Sequence, residues 1–305
     1  MSQVAVAPVT TEAPLSDREL KRQLRTQDAK TKLSSPWASG IAILIAILWS
    51  VPTLGLFITS FRPQVDIQSS GWWTWFTHPT LTMDNYSAAF SAQGLGGFFL
   101  NSFIITIPSV IIPITLALLA AYVFAWVPFR GRNFMFVAVF ALQIVPIQVT
   151  LIPLLSLYSD AGITTSFWPV WLSHTIFGLP LAIFLLHNFM TEIPASIVEA
   201  ARVDGAGHVQ IFFRVLMPLL VPAIAAFGIF QFLWVWNDLL VSLVFASSPN
   251  LQPLTKVVSD LSGTRGNSWE LLSAGAFISM IVPLVVFLSM QRYFVRGLLA
   301  GGVKG

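Results

Sequence analysis

Polar side chains are scarce in this sequence, so those that fall inside its apolar stretches are the first candidates for chemistry. Gln143 and Gln148 stand in one such stretch, Asn188 near the end of the next, and Gln231, Trp234, Trp236, Asn237 and Asp238 gather towards the end of a later one. Planar amides both donate to and accept from hydroxyls, and an indole face suits the apolar side of a polyhydroxylated ring. Gln143, Gln148, Gln231, Trp234, Asn237 and Asp238 are therefore candidates for lining a solute path. The competing readings are that Trp234 and Trp236 belong to an interfacial belt, that Asp238 caps a helix, and that Gln143 and Gln148 hydrogen-bond between helices. No enzyme site is visible. His78, His174, His187 and His208 are scattered over different segments, which argues against a metal cluster, and the chain has no Cys. It has no GxxxxGK[ST] and so no phosphate loop of its own.

A second constellation lies between two apolar segments. Glu192–Pro218 reads EIPASIVEAARVDGAGHVQIFFRVLMP. Ile193, Ile197 and Ala200/Ala201 recur at helical spacing, Gly205 and Gly207 interrupt, and Ile211, Phe212 and Val215 begin a second helical pattern. Two short amphipathic helices around a glycine-bearing bend form a knob on one membrane face. Such a knob passes force to a soluble partner. Glu199 offers an acceptor for a basic partner, Ala200 and Ala201 permit close approach, and Gly205 allows a left-handed backbone that a Cβ would penalise.

The elements that must position these residues are membrane spans. Apolar residues are 55% of the chain and charged residues 10%, with mean hydropathy +0.77, against about 25% charged in a soluble domain. The expected fold is all-α and polytopic, with six transmembrane helices at roughly 38–60, 97–126, 133–157, 166–189, 218–245 and 271–290. Several prolines fall inside these spans, where neighbours must satisfy the carbonyls they free. Residues 1–36 read as a polar tail with a weak helix over Arg18–Lys30, and their acids and length argue against a signal peptide. Residues 37–96 hold the first span and a long external loop with Trp72, Trp73 and Trp75, best read as an interfacial belt. Residues 97–291 form the core, and 292–305 a basic tail. With the N-terminus inside, 13 of the 16 Lys and Arg residues face the cytoplasm, the knob included. The net charge of +3 follows the membrane and does not point to nucleic acid.

Glu199-Ala200-Ala201, three residues, Gly205, nine residues and then Val215-Leu216-Met217-Pro218 resembles the EAA loop of binding-protein-dependent ABC transporter permeases. Val215 and Met217 stand where the family prefers Ile and Leu. The terminal YFVRG…GGVKG run, Asn101-Ser102 and Phe129-Arg130-Gly131-Arg132 resemble the carbohydrate-uptake branch, in particular the shorter permease of maltose-type importers. The resemblance covers about residues 80–305. It implies a type I importer permease fold and alternating access. It implies ATPase coupling through Glu199, Ala200, Ala201, Asp204, Gly205 and Pro218. The partners implied are a second, similar permease, two ATPase subunits that bind the ATP and Mg2+, and an extracytoplasmic sugar-binding protein. The chain itself would bind no cofactor and would sit in the bacterial inner membrane with both termini cytoplasmic. By the same resemblance, Ser248–Gly266 would reach into the binding protein's cleft. The implied substrate is glucose, a glucoside or a short oligosaccharide. A polyol or glycerol-phosphate-type solute is the alternative within the family, and an ion-coupled secondary transporter or a non-transporting scaffold the alternative outside it.

Overall fold

The computed structural model describes residues 36–91, 94–263 and 268–302, with side chains over 36–91, 94–261 and 268–291. The expected tail over 1–36 therefore lies almost wholly outside the described residues, and the basic side chains of 292–305 lie outside them entirely. The described residues are all-helical. Among the described residues five helices are long and apolar enough to cross a membrane, and a pair of helices bent by 99° at a short break makes a sixth if the two are taken as one span. The chain divides into two units at Leu56/Phe57. In the first, most of α1 (Pro36–Ser60) is apolar all round, with Ile41, Leu44, Leu48 and Leu54 exposed, as a lipid-facing helix requires.

The second unit holds everything else. Two short helices, α2 (Gln64–Ser69) and α3 (Asp84–Ser91), and a 3-10 turn at Trp72–Phe76 build the segment between α1 and the next span. Arg62 organises it. Its guanidinium is buried and donates to Ser70 Oγ at 2.6 Å and to the carbonyls of Asp66 and Ser70 at 3.0 and 3.3 Å. Asn85 Nδ2 donates to the carbonyls of Ser60 and Arg62. The long spans are α4 (Leu95–Trp126), α7 (Trp168–Glu192), α10 (Met217–Trp236) and α13 (Trp269–Gly302).

Helices α4 and α7 pack over a long seam of small residues, with Ser109, Ala117, Ala121, Ser173 and Ala182 buried. Small side chains let two helix backbones approach closely where lipid gives no hydrophobic drive to association. Proline adds a second device. It has no N–H, so the carbonyl four residues earlier loses its helical partner. Pro108 frees Ile104, and Trp171 Nε1 of α7 donates to the Ile104 carbonyl at 2.9 Å. Pro113 frees Ser109, and Gln231 Nε2 of α10 donates to the Ser109 carbonyl at 3.2 Å. Pro283 frees Ser279, and Trp236 Nε1 of α10 donates to the Ser279 carbonyl at 3.0 Å. Three prolines thus convert intrahelical bonds into cross-links between spans.

Two of the expected spans differ from the structure. The third is broken into α5 (Arg132–Ala141), a 3-10 turn at Leu142–Ile144, and α6 (Ile147–Asp160). Pro146 disfavours helical dihedrals at Val145, which is extended at φ −67° and ψ 119°. The fifth ends at Trp236 instead of running to 245. Asp238 starts a new helix, α11 (Leu240–Phe245), by accepting from the N–H groups of Val241 and Ser242 at 3.0 and 3.2 Å. The stretch after it, Ser248–Gly266, which the resemblance would send into a binding protein, is partly helical in this chain. Helix α12 (Leu254–Gly263) lies in it, and Asn101 Nδ2 holds the carbonyls of Asn250 and Gln252. Leu254 is fully buried, and its N–H donates to Ser102 Oγ. Residues 264–266 fall outside the described residues.

The proline cross-links make a test. Gln231→Leu strands the Ser109 carbonyl inside the bundle and is expected to cost about 1–3 kcal/mol. In a Pro113→Ala background the restored N–H at 113 satisfies that carbonyl, so the same substitution should cost markedly less. Thermal unfolding of the four variants in detergent closes the double-mutant cycle. Equal costs in both backgrounds would break the argument.

Candidate functional site

The 192–218 stretch is a knob seated in the span core. Pro194 precedes α8 (Ala195–Val203), whose Val198 is 1% exposed. Val198, Ile211, Phe212 and Leu216 join one apolar cluster with Ala121 and Tyr122 of α4, Leu186 and Met190 of α7, and Leu220 of α10. The outer face is different. Glu199, Ala200, Asp204 and Gly205 are all exposed, together with the apolar Val203 and Val209.

Helix α8 ends in a Schellman motif. The Gly205 N–H donates to the Arg202 carbonyl and the Ala206 N–H to the Ala201 carbonyl, with Gly205 left-handed at φ 81°. The left-handed backbone expected at Gly205 is what the structure has, and a Cβ there would point into open space. A short helix α9 (His208–Gln210) follows, then a π-helical segment at Ile211–Leu216. The Met217 N–H bonds to the Phe212 carbonyl, and Pro218 next to it has no N–H to offer. The π segment is the adjustment that carries the chain from knob into α10 across that missing donor. Pro218 itself is exposed.

The in-span candidates separate into two groups. Gln231 is fully enclosed, its amide nitrogen shared between the carbonyls of Ser109 and His174. It passes so close to Gly178 that a Cβ there would meet it at 2.7 Å. Asp238 is spent on the cap of α11 and lies 3.6 Å from His174 Nε2, beyond hydrogen-bond reach. His174 Nδ1 faces the Val170 carbonyl at 2.9 Å, so that nitrogen carries a proton. Trp234 packs edge-on against the His174 ring, and Asn237 is exposed with its amide on the Leu233 carbonyl of its own helix. Gln143 and Gln148, by contrast, are exposed on either side of the break in the third span, and both line one cavity of about 450 Å³.

Residues 113–299, well over half of the chain, match the family described as "Binding-protein-dependent transport system inner membrane component". The chain belongs to this family. It is 53% identical over 270 residues to the osmoprotective compounds uptake permease protein GgtD of Synechocystis sp., covering 87% of this chain and 91% of that one. It is 51% identical over 235 residues to the alpha-glucoside transport system permease protein AglG of Rhizobium meliloti. That match covers 75% of this chain and 62% of AglG, so less than two thirds of the relative's length is spanned. In fold it is similar to a crystal structure of a bacterial ABC transporter involved in the import of the acidic polysaccharide alginate. The TM-score is 0.68 at 20% identity, over 92% of this chain and 100% of that chain. The protein is a multi-pass permease component with the type I importer permease fold.

Sequence reasoning missed two residues that tie the permease's knob to its spans. Tyr122 Oη lies 2.6 Å from His208 Nδ1, and the Tyr122 ring stands edge-on to Phe212 at 5.4 Å. The contact spans 86 residues, so no local pattern could reveal it. A single Tyr near the C-terminal end of an apolar span was the one available signal. Tyr122→Phe keeps the ring packing and removes the bond. It should speed amide exchange over 207–212 about threefold to tenfold, the worth of one hydrogen bond, and leave the spans unchanged. Hydrogen-exchange mass spectrometry of the purified chain reads this directly, and unchanged exchange in the segment would refute the tie.

Proposed function

We propose that this chain is one of two permease subunits of an ATP-driven importer for a small neutral sugar or glucoside. It forms half of the translocation path and works by alternating access. The observation that carries the reading is the two-faced knob. Its inner face is locked into the core that α4, α7 and α10 share, and its outer face presents Glu199, Ala200, Asp204 and Gly205 with exposed Val203 and Val209. A body built this way moves with the spans when pushed. Glu199, Ala200, Ala201, Asp204, Gly205 and Pro218 are assigned to ATPase coupling, with Gly205 and Ala201 shaping the turn and Glu199 and Asp204 meeting basic groups on the ATPase.

The full assembly is this chain, a second, similar permease, two ATPase subunits that bind ATP and Mg2+, and an extracytoplasmic binding protein, as in maltose-type importers. The knob and both termini lie in the cytoplasm, supported by the excess of Lys and Arg on that side. Permeases named for alpha-glucosides and for osmoprotective compounds, each more than half identical to this chain, support a glucose, a glucoside or a short oligosaccharide. Polyols remain the alternative within the same chemistry. An ion-coupled carrier would need a free charged group well inside the spans; Asp238 is engaged with a helix cap, and the buried Glu270, whose Oε2 has no partner among the described residues, stands in the first turn of α13 at the end of its span.

The test is Gly205→Asp in the assembly reconstituted with its own partners. Aspartate tolerates the left-handed region better than most residues, and its side chain enters open space, so the chain should insert and assemble. Binding-protein-stimulated ATP hydrolysis and ATP-driven sugar uptake are expected to fall at least about tenfold, the equivalent of 1.4 kcal/mol of lost coupling. Normal coupled turnover by the assembled variant would remove the knob from the mechanism.

A further inference from the structure

The break in the third span is costly unless something is gained from it. It falls near the middle of the segment, after the ten residues of α5 and a three-residue 3-10 turn and before the 14 residues of α6. Irregular backbone at membrane depth persists only where protein covers it or where it lines an aqueous cavity. Here this chain does not cover it, since Ile144 is 82% exposed and Leu142 61%.

Two amides flank the break and line the same cavity, with Thr150 and Phe177 beside them. Among the described residues, neither Gln143 nor Gln148 has a hydrogen-bond partner. Gln231 is the enclosed counterpart in this bundle: it is fully buried, its Nε2 donates to two carbonyls, and its Oε1 has no partner among the described residues. The contrast removes bonding between helices of this chain as the reason for Gln143 and Gln148. What is left is four amide N–H donors and two carbonyl acceptors facing open space inside an apolar segment.

We infer that the break in the third span is a half-site for the transported solute, with Gln143 and Gln148 as its hydrogen-bonding groups and the second permease closing the open side. This rests on the permease reading above. The ligand is a neutral polyhydroxylated molecule of one or two rings. The cavity lining carries no charged residue, the amides match hydroxyls in both donor and acceptor sense, and Phe177 offers a ring face for C–H groups. The Thr150 hydroxyl gives its proton to the Ile147 carbonyl at 2.7 Å and keeps lone pairs for a hydroxyl donor. A volume of about 450 Å³ lies within the range of small-molecule sites. Broken helices supply substrate contacts near the midplane in other transporter folds, which is the same physical solution. Solute selection would then be shared between the binding protein and the membrane path.

The chain has no cysteine, so single cysteines report cleanly. In proteoliposomes holding the complete assembly, ATP-driven uptake of maltose, trehalose and methyl α-glucoside is measured first for the wild type. Gln143→Leu and Gln148→Leu are each expected to lower uptake per ATP hydrolysed about threefold to tenfold, the worth of one hydrogen bond. Binding-protein stimulation of the ATPase should persist. Gln143→Cys and Gln148→Cys should react with a membrane-impermeant methanethiosulfonate, and saturating transported sugar should slow that reaction severalfold. Unchanged uptake per ATP in both leucine variants, or cysteine reaction rates indifferent to sugar, would overturn the half-site while leaving the permease reading intact. No ATP-driven uptake by the wild-type assembly, with any of the three sugars, would overturn both.

Discussion

In hydrocarbon there is no water to take up a backbone group that has lost its partner, and this bundle is arranged around that constraint. Each of Pro108, Pro113 and Pro283 strips a donor from its own helix, and each exposed carbonyl is claimed by a side chain of another span. The two indoles and one amide that do this are long enough to cross a seam that small residues keep narrow. The result is a directional bond between helices that otherwise have only dispersion to hold them in register. Gln231 bonds to α4 and α7 at once, so the three spans are set relative to one another at a single buried point. Gly178 is small because that amide needs the room.

This fixed core is what makes the knob useful. An amphipathic helix lying on a membrane would slide when pushed. Helix α8 and the π segment instead insert Val198, Ile211, Phe212 and Leu216 into the cluster that α4, α7 and α10 share, and Tyr122 adds a hydrogen bond to His208. The exposed face can be shaped for a partner because the buried face already fixes its position. The Schellman turn at Gly205 gives the sharp reversal that lets one short segment have both faces. The π segment ahead of Pro218 then returns the chain to a regular span.

Much of this was legible in the sequence, and the failures have physical causes. Span positions follow from hydropathy, which depends on composition over some twenty residues and tolerates local irregularity. For the same reason hydropathy is blind to where a span breaks. Val145-Pro146 and Asn237-Asp238 sit in windows that stay apolar on average, and only dihedral preference and a carboxylate cap betray the breaks. The positive φ of Gly205 was readable because its spacing from Glu199 and Pro218 leaves one turn to be made. The cap made by Asp238 stood among the competing readings, but the role of Gln231 was not readable. A polar residue in an apolar span has the same letter whether it faces a pore or a stranded carbonyl, and the distinction lies in a partner more than a hundred residues away in the case of Ser109. The Tyr122–His208 bond escapes for the same reason.

The polar groups of the spans thus divide by what they face. Gln231, Asp238, His174 and the indoles of Trp171 and Trp236 turn inward to carbonyls, a helix cap or one another, and they fix geometry. Gln143 and Gln148 turn outward at the one break that no side chain of this unit closes. A transporter needs both kinds. A path lined only by groups already bonded within the protein would offer a solute nothing in exchange for its water, and a bundle whose polar groups all faced the path would lack internal register. Burial and partnership, more than residue type, separate the two sets, and on that criterion the broken third span is where, among the described residues, amides stand exposed and unpaired beside a cavity.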